Sequence, residues 1–537
     1  MKTYGNAHNI IAAGITITLA VVFITACTLT DSSSRTSVAE VTGVASPTLA
    51  APTTVVLDTK VEDISLTVEP DAALQSASPT SVAEVTPSDL PPTTTPSTVA
   101  PSPSVVAGVE VYETIITLPT YPFRDFLIEK IDPVYNIPVY YFNRADYDAA
   151  PHEPAPVNYT GVVLENSYLR LTFLPELGGR LYSAVVKSTE QEIFYHNPVV
   201  KPSRYGVLQP YEANWWLATG GMDWAYPTQE HGYRFGLPWD YKVAQNETEA
   251  TITLSDTGPD RVGLTVQVTL PADKATFTVA PTLVNNTSQS VPVQLWINAA
   301  LTLGAATMSP ATQFIVPTDT VTVHSRGEAG WEVPGEHASV SWPRVGETDL
   351  RNYNQWANYM GFFVPNQAAP FFGAYNPDTD LGVVRLSSGV PGSNKLFAFG
   401  QDFPDRSYTD DNSQYFEIWG GANAGFWAED NISVPPGDTL GWQDTWWPLA
   451  QSGGLTWANE TIAIHIAPEG EGSTLTALVA QPIQGRLEVS NAQTVLVQES
   501  FTANPAAPVR WSIPATDTPP TIQFFDVEEN PLLRYPG

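Results

Sequence analysis

The sequence predicts an all-β protein, and three observations carry that expectation. Short apolar stretches with alternation recur after Val109, as in Val162–Leu171, Thr251–Leu254, Leu264–Leu270, Thr276–Val284, Val291–Ile297 and Val383–Leu386. Each is rich in Val, Thr, Ile or aromatics and is bounded by Gly, Pro, Asn or Asp. Few stretches carry a 3.6-residue apolar repeat over twelve or more positions, and proline, 48 in all, is spread throughout the chain, which discourages long helices. Turn signals are dense, among them Asn285-Asn286, Asn376-Pro377-Asp378 and Pro436-Gly437-Asp438. About 350 residues of this pattern exceed an ordinary immunoglobulin-sized sandwich and suit a large double sheet or two sandwiches.

Along the chain the elements fall into four segments. Residues 1–26 read as a signal peptide. Met1–Asn9 carries one Lys and no acid, and Ile10–Ala26 is an uncharged, mostly apolar run that ends at Cys27. Small residues before the single Cys of the chain resemble the lipobox of bacterial lipoproteins, which implies a lipidated Cys27. The competing reading is an uncleaved signal anchor with an incidental Cys. Residues 27–108 read as a disordered stalk. Thr28–Gly108 has no Phe, Tyr or Trp, holds ten prolines and repeats TSVAEVT at 36–42 and 80–86, a composition that cannot offset chain entropy by burial. Residues 109–453 form the β head. Residues 454–537 carry plain strand patterns at Thr461–Ile466, Thr474–Ala480, Gly485–Val489 and Thr494–Gln498, then strand–turn–strand over Phe524–Arg534. They fit a small accessory β-sandwich or a terminal extension packed on the main sheet.

Composition excludes some functions. The formal net charge of −32 repels phosphates and argues against nucleic acid as a partner. One Cys excludes an internal disulfide framework and a Cys-based zinc site. No phosphate-binding glycine fingerprint lies in a strand–helix context, so no nucleotide cofactor is expected. Asp378, Asp380 and the Asp410-Asp411-Asn412 run read as hairpin turns rather than metal ligands.

Aromatics concentrate in two places. The stretch Tyr211–Tyr241 holds Trp215, Trp216, Trp224 and Trp239 among Asp223, Glu230, His231, Arg234 and Asp240. The stretch Tyr408–Trp447 holds Asp410, Asp411, Glu417, Trp419, Trp427, Trp442, Trp446 and Trp447. Trp beside carboxylates, Arg and His suits a sugar site, because aromatic faces stack on ring C–H groups while polar groups take the hydroxyls. A core role competes for each Trp, and Trp446-Trp447 reads better as core.

These residues carry a resemblance. Asn166–Thr189, with its Gly-Gly-Arg at Gly178-Gly179-Arg180, is similar to the opening strands of galactose mutarotase-like proteins. His231-Gly232-Tyr233-Arg234 with Trp239 resembles the His-Gly-aromatic-x-Arg motif of aldose epimerases. Tyr415-Phe416-Glu417, ahead of Pro435-Pro436-Gly437, resembles the strand bearing their catalytic Glu. The segments NKLFAFG, TDDNSQYFEIWGG and WQDTWWPL resemble the domain-of-unknown-function family numbered 5107, a branch of that superfamily. The resemblance spans about Val109 to Ala450 and implies a supersandwich of two large antiparallel sheets with a sugar cleft on one concave face.

It also implies roles. Glu417 is the candidate base, with His231, Glu230 and Asp223 as further candidate catalytic groups. Arg180, Trp215, Trp216, Trp224, Arg234, Trp239 and Asn298 are candidate substrate contacts. The acid His of mutarotases falls where this chain has Leu295-Trp296-Ile297-Asn298, and Asn298 cannot donate a proton as an acid does. Three functions follow as expectations: a surface-tethered carbohydrate-binding head, a carbohydrate epimerase or glycoside hydrolase using Glu417, or a non-catalytic structural or adhesive envelope protein. The expected partner is carbohydrate, the expected location is outside the cytoplasm, and the membrane is reached only through the lipid anchor.

Overall fold

The structure, a computed structural model, describes residues 108–536 apart from 134–135, 137, 204–214, 229–235, 329, 365–368, 389–392, 401–408 and 492–493. The signal peptide, Cys27 and the stalk up to 107 therefore lie outside the described residues, as do Glu230, His231 and Arg234.

Strand dominates the rest, and the single described α-helix is the six-residue Arg144–Ala149, capped by the Asn143 side chain. Two large sheets face each other. The larger has fourteen described strands. Its middle runs, in spatial order, Met360–Val364, Ser393–Ala398, Phe416–Gly421, Trp296–Leu301, Met222–Ala225 and Arg180–Val186. The smaller has nine, centred on Val262–Pro271, Phe277–Asn285, Gln443–Ala450 and Leu381–Ser388. Pairing is antiparallel throughout these middle strands.

Side-chain alternation divides the two faces of the larger sheet. Leu181, Met222, Ile297, Ala299, Leu396, Phe416 and Ile418 point toward the smaller sheet and share one core with its Ile252, Leu264, Val266, Val279, Val383 and Trp446. Arg180, Asp223, Asn298, Glu417, Trp419 and Lys395 occupy the alternate positions and face away from that core. The outer face of the smaller sheet is covered as well. Phe371, Val384, Leu386, Trp447 and Leu449 pack against Leu455, Ala458, Ala463, Leu478 and Ala480 of the C-terminal segment. That segment forms two four-stranded sheets with their own core around Ile464, Leu487, Trp511 and Phe524.

Two expected strands turn out to be pairs. Val162–Leu171 divides into Ala155–Glu165 and Leu169–Leu174. The break is at Asn166, whose Oδ1 accepts hydrogen bonds from the Tyr168 and Leu169 amides, a side-chain-closed turn that an apolar count overlooks. Val291–Ile297 divides at Gln294-Leu295, where the chain leaves a two-stranded sheet with Ile432–Val434 and enters the larger one. The acidic loops use their carboxylates on protein donors. Asp378 accepts from Ser309, Asp380 from Tyr375 and the Gly453 amide, and Asp410 from Lys201 and Tyr121.

Candidate functional site

The register of four neighbouring strands assembles a polar row. Lys395 stands opposite Trp419, Trp419 opposite Asn298, and Asn298 opposite Asp223. Glu417, two residues before Trp419 on the same strand, shares its face. Arg180 reaches the row from the next strand and donates through Nη2 to Asp223 Oδ2 at 3.2 Å and through Nη1 to the Gly220 carbonyl at 2.7 Å. A period-2 strand places every second side chain on this face. Five short segments of the sequence therefore deliver polar or charged residues to one patch.

Glu417 is held on both oxygens. Trp419 Nε1 donates to Oε2 at 2.9 Å, and Asn298 Nδ2 donates to Oε1 at 3.4 Å. Glu417 keeps 4% of its accessible surface, Asn298 5% and Asp223 7%. Burial pushes the Glu417 carboxyl above its usual range. The Lys395 charge and the Trp419 N–H oppose that rise, and the Asp223 charge adds to it. Burial likewise pushes Asp223 up, against the opposing pull of Arg180. Three atoms of the row, Asp223 Oδ1, Asn298 Oδ1 and Arg180 Nε, are buried and have no hydrogen-bond partner among the described residues.

Aromatic rings frame the row. Lys395 Nζ lies 4.5 Å from the Trp419 ring centre and 4.3 Å from that of Phe426. Trp296 and Phe363 pack against the same cluster. On the Glu417 side, Tyr195 stacks on Tyr415 with ring centres 4.6 Å apart, next to Ala300, the cross-strand partner of Glu417.

The structure brings together Glu417, Asp223, Asn298 and Arg180 among the residues singled out from sequence. The four tryptophans lie elsewhere. Trp224 and Trp239 are in the core between the two large sheets, where Trp224 Nε1 donates to the Gly179 carbonyl and Trp239 meets Tyr226 edge-on. Trp215 and Trp216 sit in a separate apolar cluster with Phe142, Tyr159 and Tyr182, and Trp215 stacks on Phe142. Their indoles fill apolar gaps, which is the competing role the sequence left open. Sequence reasoning did not select Lys395 or Trp419 as site residues. The signal for Lys395 was a lone Lys inside an apolar strand, Ser393–Ala398, where a cation needs a nearby partner to be buried. His196 also comes close to this region: its ring stacks on Tyr182, and its Nε2 lies 3.0 Å from the Tyr182 carbonyl.

A family model described as a domain of unknown function, DUF5107, matches residues 132–448, more than half of the chain. Among solved structures the chain is similar to a TPR-domain containing protein from Parabacteroides distasonis. Identity there is 20%, the TM-score is 0.50, and the match covers 64% of this chain and 56% of that one. The chain thus spans little more than half the length of that protein. A galactose mutarotase-like protein from Lactobacillus casei matches at 13% identity with a TM-score of 0.34, over 54% of this chain and 99% of the other. An aldose epimerase homologue from C. elegans matches at 12% identity with a TM-score of 0.35, over 53% and 97%.

Proposed function

The chain belongs to the DUF5107 family, and from that premise we propose that the face of its larger sheet turned away from the inter-sheet core binds carbohydrate, with Glu417 at the centre of the site. One observation supports this above all others: Asp223 Oδ1, Asn298 Oδ1 and Arg180 Nε are buried within one cross-strand patch and lack partners among the described residues. Buried polar atoms are normally satisfied, and leaving one bare costs about 1–3 kcal/mol. Two acceptors and one donor so placed match sugar hydroxyls, which both donate and accept.

An enzymatic reading uses the same groups. A carboxyl lifted above its usual range and held by two donors is suited to general-base work. In an epimerase Glu417 would take the anomeric proton. In a hydrolase Asp223 would be the second carboxyl. The proposal extends to placement: a lipid on Cys27 and the 27–108 stalk hold the head outside the cytoplasm.

The test is a glycan array followed by calorimetry on Asp223→Ala and Glu417→Gln. Sugar binding that weakens about fivefold or more in Asp223→Ala supports the site, since one lost hydrogen bond of ~1 kcal/mol is worth about that factor. Turnover lost in Glu417→Gln with affinity retained favours the enzyme. No hit on the array, with both variants equal to the parent, leaves a structural or adhesive role.

A further inference from the structure

The buried cation of the row, Lys395, has a geometry that acts on Glu417 through a third residue. Its ammonium lies over the Trp419 ring at 4.5 Å, and over those of Phe426 at 4.3 Å and Phe397 at 5.8 Å. Strand register sets Lys395 directly across from Trp419. The Trp419 indole is therefore used twice, its face on the cation and its edge N–H on Glu417 Oε2 at 2.9 Å. A cation over an indole face is attracted to the ring and draws electron density from it. The N–H at the ring edge then becomes a stronger donor, as chained polar contacts reinforce one another in a low dielectric.

We propose that Lys395 is a positioning residue for Glu417: it fixes and polarises the Trp419 indole so that the indole N–H holds Glu417 Oε2 in one orientation. The inference rests on the reading of Glu417 as the central group of the site. Among the described residues, the other charged groups in the row are Asp223 and Arg180 on their two strands, with His196 nearby against Tyr182 and Glu192. On the far side of Lys395 lies His324, whose ring is edge-on to Phe363 and Phe426 and which burial holds well below the usual imidazole range. His337 lies beyond it, against Trp427. A neutral His324 adds no positive charge to the patch, so Lys395 and Arg180 are the cations that face the two carboxyls among the described residues.

The experiment follows the Glu417 carboxyl itself, without sugar. Protein carrying 13C-carboxyl glutamate is titrated by NMR, with the Glu417 resonance assigned by its loss in Glu417→Gln. In Lys395→Met the midpoint moves to higher pH. In Lys395→Arg, which keeps the charge over the ring, it stays near that of the parent. Trp419→Phe, which removes the N–H and keeps the ring, moves it in the same direction as Lys395→Met. The double variant moves it by less than the sum of the two single shifts. An unchanged midpoint in folded Lys395→Met, or additive shifts in the double variant, overturns the proposal. Should Lys395→Met fail to fold, Lys395→Gln takes its place in the same comparison, singly and with Trp419→Phe. A normal titration pattern with no sugar bound by calorimetry would sink the carbohydrate reading and leave the Lys395 linkage standing.

Discussion

At the scale of single residues, the row of Asp223, Asn298 and Glu417 is an unfavourable arrangement for stability. Two carboxyls are raised by burial, so the folded state binds more protons than the unfolded chain between the unfolded and folded values. Stability from these two groups is therefore greatest on the acid side and falls as pH rises through the raised folded values. Glu417→Gln removes one of the two titrations. Its denaturant midpoint is expected to fall less steeply with rising pH than that of the parent. Urea unfolding across the acid-to-neutral range checks this, and an identical slope in parent and variant would refute it. Proteins tolerate such costs where a site requires them.

At the scale of elements, the strand Phe416–Gly421 shows why two glycines close it. Gly420 points into the inter-sheet core, and a Cβ there would meet the Arg385 guanidinium; Gly421 points the other way, and a Cβ would meet the Trp296 ring. Trp296 is fully buried and pinned by its Nε1 bond to Gln294 at 2.8 Å, so it has no room to retreat. Gly421→Ala is expected to cost about 1–3 kcal/mol by overpacking, read as a lowered unfolding midpoint. A midpoint equal to the parent's would show that the ring moves freely. Six antiparallel residues between Ser393–Ala398 and Trp296–Leu301 thus leave one side chain for the site, one for its support and two vacancies for neighbours.

At the scale of the whole molecule, Arg385 links the two sheets. From the smaller sheet it donates to Asp444 at 2.9 Å through both Nε and Nη2, and it donates through Nη1 to Asn394 of the larger sheet. Trp442 Nε1 donates to the same Asp444 at 2.9 Å. Both members of the ion pair are essentially buried. Asp444→Ala strands a guanidinium in the core and is expected to cost about 3–5 kcal/mol, measured by urea denaturation. A loss below ~1 kcal/mol would mean that Asn394 alone satisfies the cation. Because Asn394 precedes Lys395, this pair also ties the strand of the polar row to the sheet behind it.

The fold class was legible because alternation is local. Thr251–Leu254, Leu264–Leu270 and Thr276–Val284 each lie within or across an observed strand, since period-2 burial leaves its mark in the residues themselves. Glu417, Asp223, Asn298 and Arg180 were singled out in the sequence, and the structure brings them together; Lys395 and Trp419 were not selected. The tryptophans Trp215, Trp216, Trp224 and Trp239 were singled out by composition, which counts aromatic residues without saying which face of a strand they occupy. By itself the sequence determined the all-β class and the carboxylates available for chemistry, because strand propensity and residue type belong to the chain. The tertiary structure decided that Lys395, Trp419, Asn298 and Asp223 stand in one row. Register between strands up to 196 residues apart is set by the whole sheet, and a slip of one residue would have sent that row into the core.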